Sequence, residues 1–319
     1  MANIHLRQGP SRPAAIVAAA ARELATVAMH LLKRQAAEIP LERQTDLDKR
    51  MARTLVKAGL SRADLASSIQ KYQGMRPARK KKLFDVRLAD LPKEVAFDVD
   101  RIRDIVDQIG PFPIPALVAN PHPHEVTFSH LICDEESGEL DFLGSDEPYI
   151  VFGIVTAGGL GLPDETRAVA TPEYTEVDDG ERRPSAGSQN LRLFGVTGPA
   201  LIDPDRPLVI TATPFERDPG GGAQAATFAV AAALVIASGL LVEFPPAAAA
   251  LLFAGLVTGL VAGLGYGDDQ IGPTLQIVLS AAEAESLTAS APLVTLPEMN
   301  FTPGFFGAKY RAVLQLRRA

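Results

Sequence analysis

Two charge-free runs dominate the hydrophobic pattern of this chain. No charged residue occurs in residues 219–242 or 244–267, and only Glu243 separates the two runs. A run of about 20 apolar residues is long enough to cross the hydrocarbon core of a bilayer as a helix. Two prolines closely follow the separating glutamate, and the chain must turn there. The pattern therefore predicts a long apolar helical hairpin over residues 223–265.

The environment of this hairpin has two interpretations. Small residues recur every four positions in its second half, and such a face lets another helix approach closely in membranes. A helix that is apolar on every side is buried either in lipid or in a large protein core. Both interpretations stay open at this point. The side chains predicted to enter the membrane or line the helix contact are Phe228, Leu234, Leu240, Phe244, Leu252, Gly255, Gly259 and Gly263.

The first 110 residues show helical periodicity. Residues 13–38 and residues 92–109 place apolar side chains at the spacing of one helix face. Two shorter amphipathic segments lie between them, and the second begins at Ser61 with an acidic residue three positions on, which is a helix-capping pattern. We expect a helical domain at residues 1–110, with about four helices. A proline-rich linker follows at residues 111–124.

The pattern changes at residue 125. Short segments of β-branched or alternating residues recur between Gly, Pro and Asp breaks, which is typical of an antiparallel β-sandwich. The predicted fold class is therefore α+β, with a sandwich over residues 125–319 that carries the helical hairpin as an insertion. The predicted strands are Val126–Cys133, Tyr149–Thr156, Arg167–Thr171, Leu191–Val196, Leu208–Thr213, Leu275–Leu279 and Tyr310–Leu316.

Composition and charge limit the partners and the cellular location that we expect. The 319 residues carry a formal net charge of −7, which argues against nucleic acid as the main partner. No signal-peptide pattern is visible, so we expect synthesis in the cytoplasm, followed by membrane association or export by a route other than Sec. The high Ala, Gly, Pro and Arg content is typical of a bacterial protein.

No catalytic constellation stands out, and we expect this chain not to be an enzyme. The sequence lacks a nucleophile elbow and a phosphate-binding loop. His122 and His124 flank a proline in the linker with no cysteine nearby, so we expect them to be incidental rather than metal ligands. Cys133 is the single cysteine, which excludes an internal disulfide.

Acidic residues gather where predicted strands end. Hard cations such as Ca²⁺ are bound by about six to eight oxygen atoms, which several carboxylates on loops can supply. Like charges crowded together without a cation would repel one another. We therefore predict a calcium site, and the alternative is that the acidic residues simply occupy turns. The predicted ligands are Asp141, Asp146, Glu147, Glu216, Asp218, Asp268 and Asp269.

The order of these segments resembles the C-two calcium-dependent lipid-binding domain of synaptotagmins and protein kinases C. Residues 144–151, Gly-Ser-Asp-Glu-Pro-Tyr-Ile-Val, are similar to the Gly-x-Ser-Asp-Pro-Tyr-Val motif of that family. Residues 208–218 resemble its Asp-x-Asp strand end, and residues 268–272 resemble its Asp-x-Ile-Gly. Residues 309–316 would then form the closing strand. The resemblance covers residues 125–319.

The resemblance implies a calcium-dependent protein that binds an anionic lipid membrane. It also places residues 223–265 inside the third calcium loop, which meets the membrane in that family. We therefore expect a membrane-inserting protein, of a pore-forming or toxin type, whose apolar hairpin is shielded in water by other helices or in a homo-oligomer. The alternative is a soluble structural or assembly protein in which the hairpin is buried against the N-terminal helices or a partner subunit.

Overall fold

The structure, a computed structural model, describes most of the chain from residue 120 onward. It describes the side chains and backbone of residues 120–136, 147–156, 167–184, 191–204, 207–217, 271–301 and 308–319. For residues 269–270 it describes the backbone alone. Residues 32–37 and single positions at 44, 49, 52, 63, 66, 69, 70, 104, 118, 227 and 230 are described as well.

The chain divides into two compact units. One unit comprises Met1–Gln8, Pro113–Ala223 and Gly267–Ala319, and it contains every strand that the structure describes. The other unit comprises Gly9–Phe112 and Gln224–Tyr266. In this second unit, residues 32–36 are helical, and Leu32, Ile69 and Val230 are buried.

Eleven strands and one helix have defined bounds in the first unit. The strands alternate with turns rather than with helices, as expected for antiparallel sheets joined by short connections. The strands are β1 (His124–Glu135), β2 (Pro148–Val155), β3 (Arg167–Ala170), β4 (Arg182–Pro184), β5 (Leu191–Phe194), β6 (Leu208–Glu216), β7 (Asp269–Gln270), β8 (Leu275–Leu279), β9 (Leu293–Thr295), β10 (Met299–Phe301) and β11 (Lys309–Arg318), and the helix is α1 (Ala281–Thr288).

These strands form two antiparallel sheets. The first sheet has the order β10-β11-β1-β4, with β5 also pairing with β1 and β9 with β11. The second sheet has the order β3-β2-β6-β7, with β8 also pairing with β6. Strand β1 therefore pairs with β11, the last strand of the chain, over its whole length. The first sheet therefore depends on pairing between residues that are far apart in sequence.

A single apolar core joins the two sheets. Val126 and Phe128 of the first sheet belong to the same buried cluster as Ile150 and Phe152 of the second. The rings of Phe128 and Phe152 meet with centroids 5.2 Å apart and a tilt of 47° between their planes. Sheets that bury one face against each other in this way form a β-sandwich.

The second sheet is also buried on its other face. Tyr149 and Val151 alternate with the core residues of β2, yet both are completely buried. The ring of Tyr149 stacks on Phe215 of β6 with centroids 5.4 Å apart. A strand that is buried on both faces has an almost continuous apolar sequence, and this accounts for Pro148–Val155, Pro-Tyr-Ile-Val-Phe-Gly-Ile-Val.

Helix α1 begins with a capping box. The hydroxyl of Ser280 accepts from the backbone N–H of Glu283, and the Glu283 carboxylate accepts from the backbone N–H of Ser280 at 2.8 Å. This arrangement satisfies N–H groups that have no partner inside the helix. Ala281 and Ala284 then enter the sandwich core. The first turn of the helix thus packs against the sandwich.

The predicted fold class, α+β, is wrong. The part of the chain that the structure describes is mostly β, and its helices are short: residues 32–36 and α1. Neither an N-terminal helical domain nor a long helical hairpin over residues 223–265 is present in that part. The prediction gave apolar periodicity and run length too much weight, since neither by itself fixes a long helix.

The strand predictions, in contrast, are confirmed. All seven predicted segments coincide with strands, with differences of a few residues at their ends. The sequence reasoning missed β4, β7, β9 and β10, which are two or three residues long. A segment this short shows no measurable alternation, so its pairing partner decides its conformation.

Candidate functional site at the acidic end of the sandwich

Carboxylates collect at one end of the sandwich, which we call the acidic end. It is formed by the last residues of β1, the first residue of β2 and the last residue of β6. In the second sheet, Pro148 pairs with Glu216, and Glu216 pairs with Asp269. These three strand ends therefore lie side by side. Glu147 adjoins them, since its carbonyl oxygen accepts from the backbone N–H of Arg217 at 3.2 Å.

Arginine neutralises the first-sheet side of the acidic end. Arg311 of β11 donates from Nε to Asp134 Oδ2 at 2.6 Å and from Nη2 to Asp134 Oδ1 at 2.7 Å. Its remaining nitrogen, Nη1, donates to Glu298 Oε2 at 2.7 Å. The hydrogen bonds to Asp134 and then Glu298 raise the pKa of Arg311. This fork-to-fork geometry is the strongest form of charge-assisted hydrogen bond between side chains.

Other carboxylates at this end also have partners within the protein. Lys309 pairs with Glu135, and Arg183 pairs with Glu181. Asp179 accepts from the backbone N–H of Glu136 at 2.7 Å. Among the residues that the structure describes here, most acidic side chains of the first sheet are therefore held by bases or amides rather than left to repel one another.

The predicted calcium ligands are only partly described. Asp141, Asp146, Asp218 and Asp268 lie outside the described residues, and for Asp269 the backbone alone is described. Glu147 and Glu216 are described, and both are half-buried at adjoining strand ends of the second sheet. Topology thus brings three of the predicted positions, 147, 216 and 269, to one edge.

The predicted ligands fit calcium in kind, and five of the seven side chains lie outside the described residues. Carboxylate oxygens are the donors that a hard cation prefers, and no sulfur or imidazole lies among the predicted ligands. Within the described parts of the chain, however, no three His, Cys, Asp or Glu side chains come together as a metal site would require. The geometry of the second sheet therefore supports carboxylates at adjoining strand ends. It does not by itself define a cation site.

The residues predicted to enter a membrane cannot be placed. Phe228, Leu234, Leu240, Phe244, Leu252, Gly255, Gly259 and Gly263 all lie outside the described residues. Within the same stretch, Thr227 and Val230 are described as helical, and the Val230 side chain is completely buried. Within the described residues, no helix is both long enough and apolar enough to cross a bilayer.

Sequence reasoning missed the basic residues that hold the acidic end. Lys309 and Arg311 alternate with buried residues along β11, so they share one face of the strand. Arg317 lies on the same face at the opposite end, where it pairs with Glu125. That alternation could have identified a charged outer face. The partners could not have been identified, because Arg311 and Asp134 are 177 positions apart in sequence.

Comparisons with known proteins give weak likenesses. No protein-family model matches the sequence, and the comparison with curated proteins gives no match either. Among solved structures, the chain is similar to a plant Extended Synaptotagmin 1 C-two A domain, with a TM-score of 0.28 and 10% identity over 63% of this chain and 98% of that one. It is also similar to CC2D1B, described as coordinating ESRCT-III activity in nuclear-envelope reformation, with a TM-score of 0.26 and 10% identity over 85% of each chain.

A third similar structure is that of an enzyme. Human GIVD cytosolic phospholipase A2, solved with methyl gamma-linolenyl fluorophosphonate, gives a TM-score of 0.27 and 10% identity over 62% of this chain. The chain spans 17% of the length of that phospholipase. At TM-scores this low, the description of the fold rests on the two sheets and their shared core and not on any of the three likenesses.

Proposed function

We propose that this chain is a C-two-like protein that binds an anionic lipid surface through the acidic end of its sandwich, with calcium as the bridging ion. The observation that carries the proposal is the register of the second sheet, in which Pro148, Glu216 and Asp269 are successive cross-strand partners. The three acidic segments of the sequence resemblance thereby adjoin one another. When bound there, a calcium ion would neutralise the carboxylates and accept lipid phosphate oxygens as ligands.

Packing gives this edge a fixed backbone. Tyr149 and Phe215 stack next to the strand ends, and both are buried. Directly after β7, Gly272 fits closely against neighbouring side chains, because a Cβ at this position would lie 2.9 Å from Pro214 Cγ and 3.0 Å from Phe301 Cβ. The strand ends therefore hold the carboxylate positions in place before any ligand binds, which lowers the cost of ordering them on binding.

Lipid vesicles provide the test. The full chain is mixed with vesicles of phosphatidylcholine and phosphatidylserine and sedimented in calcium or in EDTA. We expect calcium to increase the bound fraction, and we expect Asp218→Asn with Asp269→Asn to abolish that increase, since two predicted ligands lose their charge. The matched control is Asp134→Asn, which removes a carboxylate at the same end that Arg311 already pairs. It should keep the calcium response.

Two results would count against the proposal. Equal binding in calcium and EDTA would remove the calcium role, and no binding under either condition would remove the lipid role. A control variant that loses the response as completely as the double variant would show that general charge, rather than the second-sheet edge, governs binding. Vesicles without phosphatidylserine separate anionic-lipid recognition from simple adsorption.

The proposal is limited to surface binding. No feature of the described residues supports a pore-forming or toxin activity, and the described part of the chain has no helix able to cross a bilayer. The basis for expecting insertion was the predicted helical hairpin, which the described fold does not contain. We therefore assign no insertion step to residues 223–265.

A structural or assembly protein is the second candidate. The observation that favours it is the complete burial of Val230, which lies in the middle of the first charge-free run. A side chain buried in this way packs against protein, which is what the structural or assembly candidate expects of this run. Gel filtration without detergent distinguishes the two candidates: a monodisperse species that ignores vesicles with and without calcium supports this one.

A further inference from the structure

Two histidines lie at the other end of β1, away from the acidic end. His122 donates its backbone N–H to Glu285 Oε1 at 2.5 Å, and its ring Nδ1 lies 2.9 Å from Glu285 Oε2. Glu285 belongs to helix α1. One carboxylate therefore ties the chain that enters β1 to the helix through both a backbone and a side-chain contact.

His124, the first residue of β1, makes the second tie to the same helix. Its ring Nε2 lies 3.2 Å from Thr288 Oγ1, and the side chain is buried with 1% exposure. The Thr288 hydroxyl donates its own hydrogen to Ala284 O at 2.8 Å. The hydroxyl oxygen is thus the acceptor, and neutral His124 donates from Nε2. The strand and the helix meet through a neutral imidazole.

The position of His124 is held from the other side as well. Its backbone N–H donates to Ala200 O at 2.7 Å, and its carbonyl accepts from the Ala200 N–H at 2.8 Å. These two hydrogen bonds fix the backbone that carries the ring, and the ring itself contacts helix α1. Undocking of α1 would expose the ring, because Thr288, the last residue of the helix, contacts it.

We infer that His124 and Thr288 form a pH-sensitive latch, which docks helix α1 on the start of β1 at neutral pH and releases the helix on acidification. The inference does not depend on lipid binding. It rests on a completely buried imidazole whose side-chain hydrogen bond is to a neutral hydroxyl. Charging the ring while the helix is docked would leave a charge with too little solvation.

The charged groups facing the ring come from three elements. Burial is the largest influence and lowers the pKa of His124. The Glu285 carboxylate of α1 and a hydrogen bond to the His122 backbone oppose it, while the His122 ring and Arg318 of β11 add to the lowering. The released ring would have the ordinary histidine pKa near 6.5. Because the docked ring binds its proton less readily, docking is fully stable above that pH and weakens as the pH falls below it.

Glu285 does not reverse this behaviour between pH 6.5 and 5. Its burial favours the neutral acid, but the hydrogen bonds from His122 outweigh it and lower the pKa of Glu285 below its usual value. The carboxylate therefore stays charged in this window. His122 contacts the same carboxylate, so it requires its own control.

Hydrogen exchange measured by mass spectrometry on the full chain tests the latch. Protection factors, corrected for the intrinsic pH dependence of exchange, are compared for α1 and for β6 between pH 7.5 and 5.0. We expect the α1 protection factor to fall by up to about tenfold per pH unit below pH 6.5, the limit for uptake of one proton. The protection of β6 should change little. His124→Gln, which keeps a donor but cannot titrate, should abolish the fall, and His122→Gln should retain it.

Several outcomes would overturn the latch. These are a flat α1 profile in the wild type, an unchanged fall in His124→Gln, or an equal fall in β6, which would indicate global rather than local opening. If His124→Gln does not fold, Thr288→Val removes the acceptor of the ring and leaves β1 intact. It should lower α1 protection at pH 7.5, and wild-type protection in that variant would also reject the latch.

Discussion

The two sheets share one core but differ on their outer faces. On the second sheet, the outer residues Tyr149, Val151 and Phe215 are as completely buried as the core residues between them. On the first sheet, the outer face is partly wet and carries ion pairs, such as Arg311 with Asp134. The difference shows that one fold can combine an antiparallel sheet whose outer face is partly exposed to solvent with a sheet that is buried on both faces.

Charge placed on the two outer faces should have very different effects. Val151→Asp puts a carboxylate at a position with no exposure, and we expect it to cost about 4 kcal/mol or more in the free energy of unfolding. Thr127→Asp, on the outer face of β1 next to Arg192, should cost less than about 1 kcal/mol. Urea unfolding of both variants at pH 7.5 measures the difference.

The pH dependence of Val151→Asp sharpens this prediction. A buried aspartate has its pKa raised by desolvation, so the folded variant binds its proton more readily than the unfolded chain does. The destabilisation should therefore shrink as the pH falls through the raised pKa. Equal costs for the two variants, or a cost for Val151→Asp that does not change with pH, would contradict burial of the outer face of the second sheet.

The contrast between the sheets was partly readable from the sequence. The alternating Lys309–Arg318 predicts a strand with one wet face, and the unbroken apolar Pro148–Val155 predicts a strand buried more deeply. Sequence reasoning did not single out the capping box at Ser280, which marks the start of α1. What the sequence could not supply was the pairing, since β1 joins β11 across most of the domain.

The candidate site was predicted less well than the strands. Topology places Glu147, Glu216 and Asp269 at adjoining strand ends, while the predicted ligand set as a whole stays a prediction. The capture of Asp134 by Arg311 was not expected, because a carboxylate cluster has the same sequence pattern whether a cation or an arginine neutralises it. The α+β assignment failed for a similar reason. An apolar run indicates that a segment is buried, but it does not indicate what the segment packs against.

A buried polar group offers a second way to test the outer face of the second sheet. Gln276 of β8 lies opposite Thr211 and is 7% exposed, and its side-chain oxygen has no hydrogen-bond partner among the described residues. An unsatisfied buried acceptor costs about 1–3 kcal/mol. We therefore expect Gln276→Met to stabilise the protein by about 1 kcal/mol in urea unfolding. Gln315→Met, on the half-wet face of β11, is the control and should change stability little; a larger gain there would contradict the comparison.

The smallest expected effect concerns the ion pairs of the first sheet. Arg311→Met leaves Asp134 and Glu298 without their shared partner, whereas Lys309→Met breaks the pair with Glu135 alone. The side chains in both networks are roughly one-third to one-half exposed, so water screens them. We expect a loss of about 1 kcal/mol for the bidentate arginine and less than about 0.5 kcal/mol for the lysine.

The salt dependence of these stability losses shows whether they are electrostatic. Screening acts on exposed charges, so the cost of Arg311→Met should shrink when urea unfolding is repeated at high salt, where the Debye length falls to about 3 Å at 1 M. A cost that does not change with salt would mean that Arg311 stabilises the sheet through its aliphatic stem, packed along β11, rather than through its charge. In that case the outer face of the first sheet would resemble the second more closely than its ion pairs suggest.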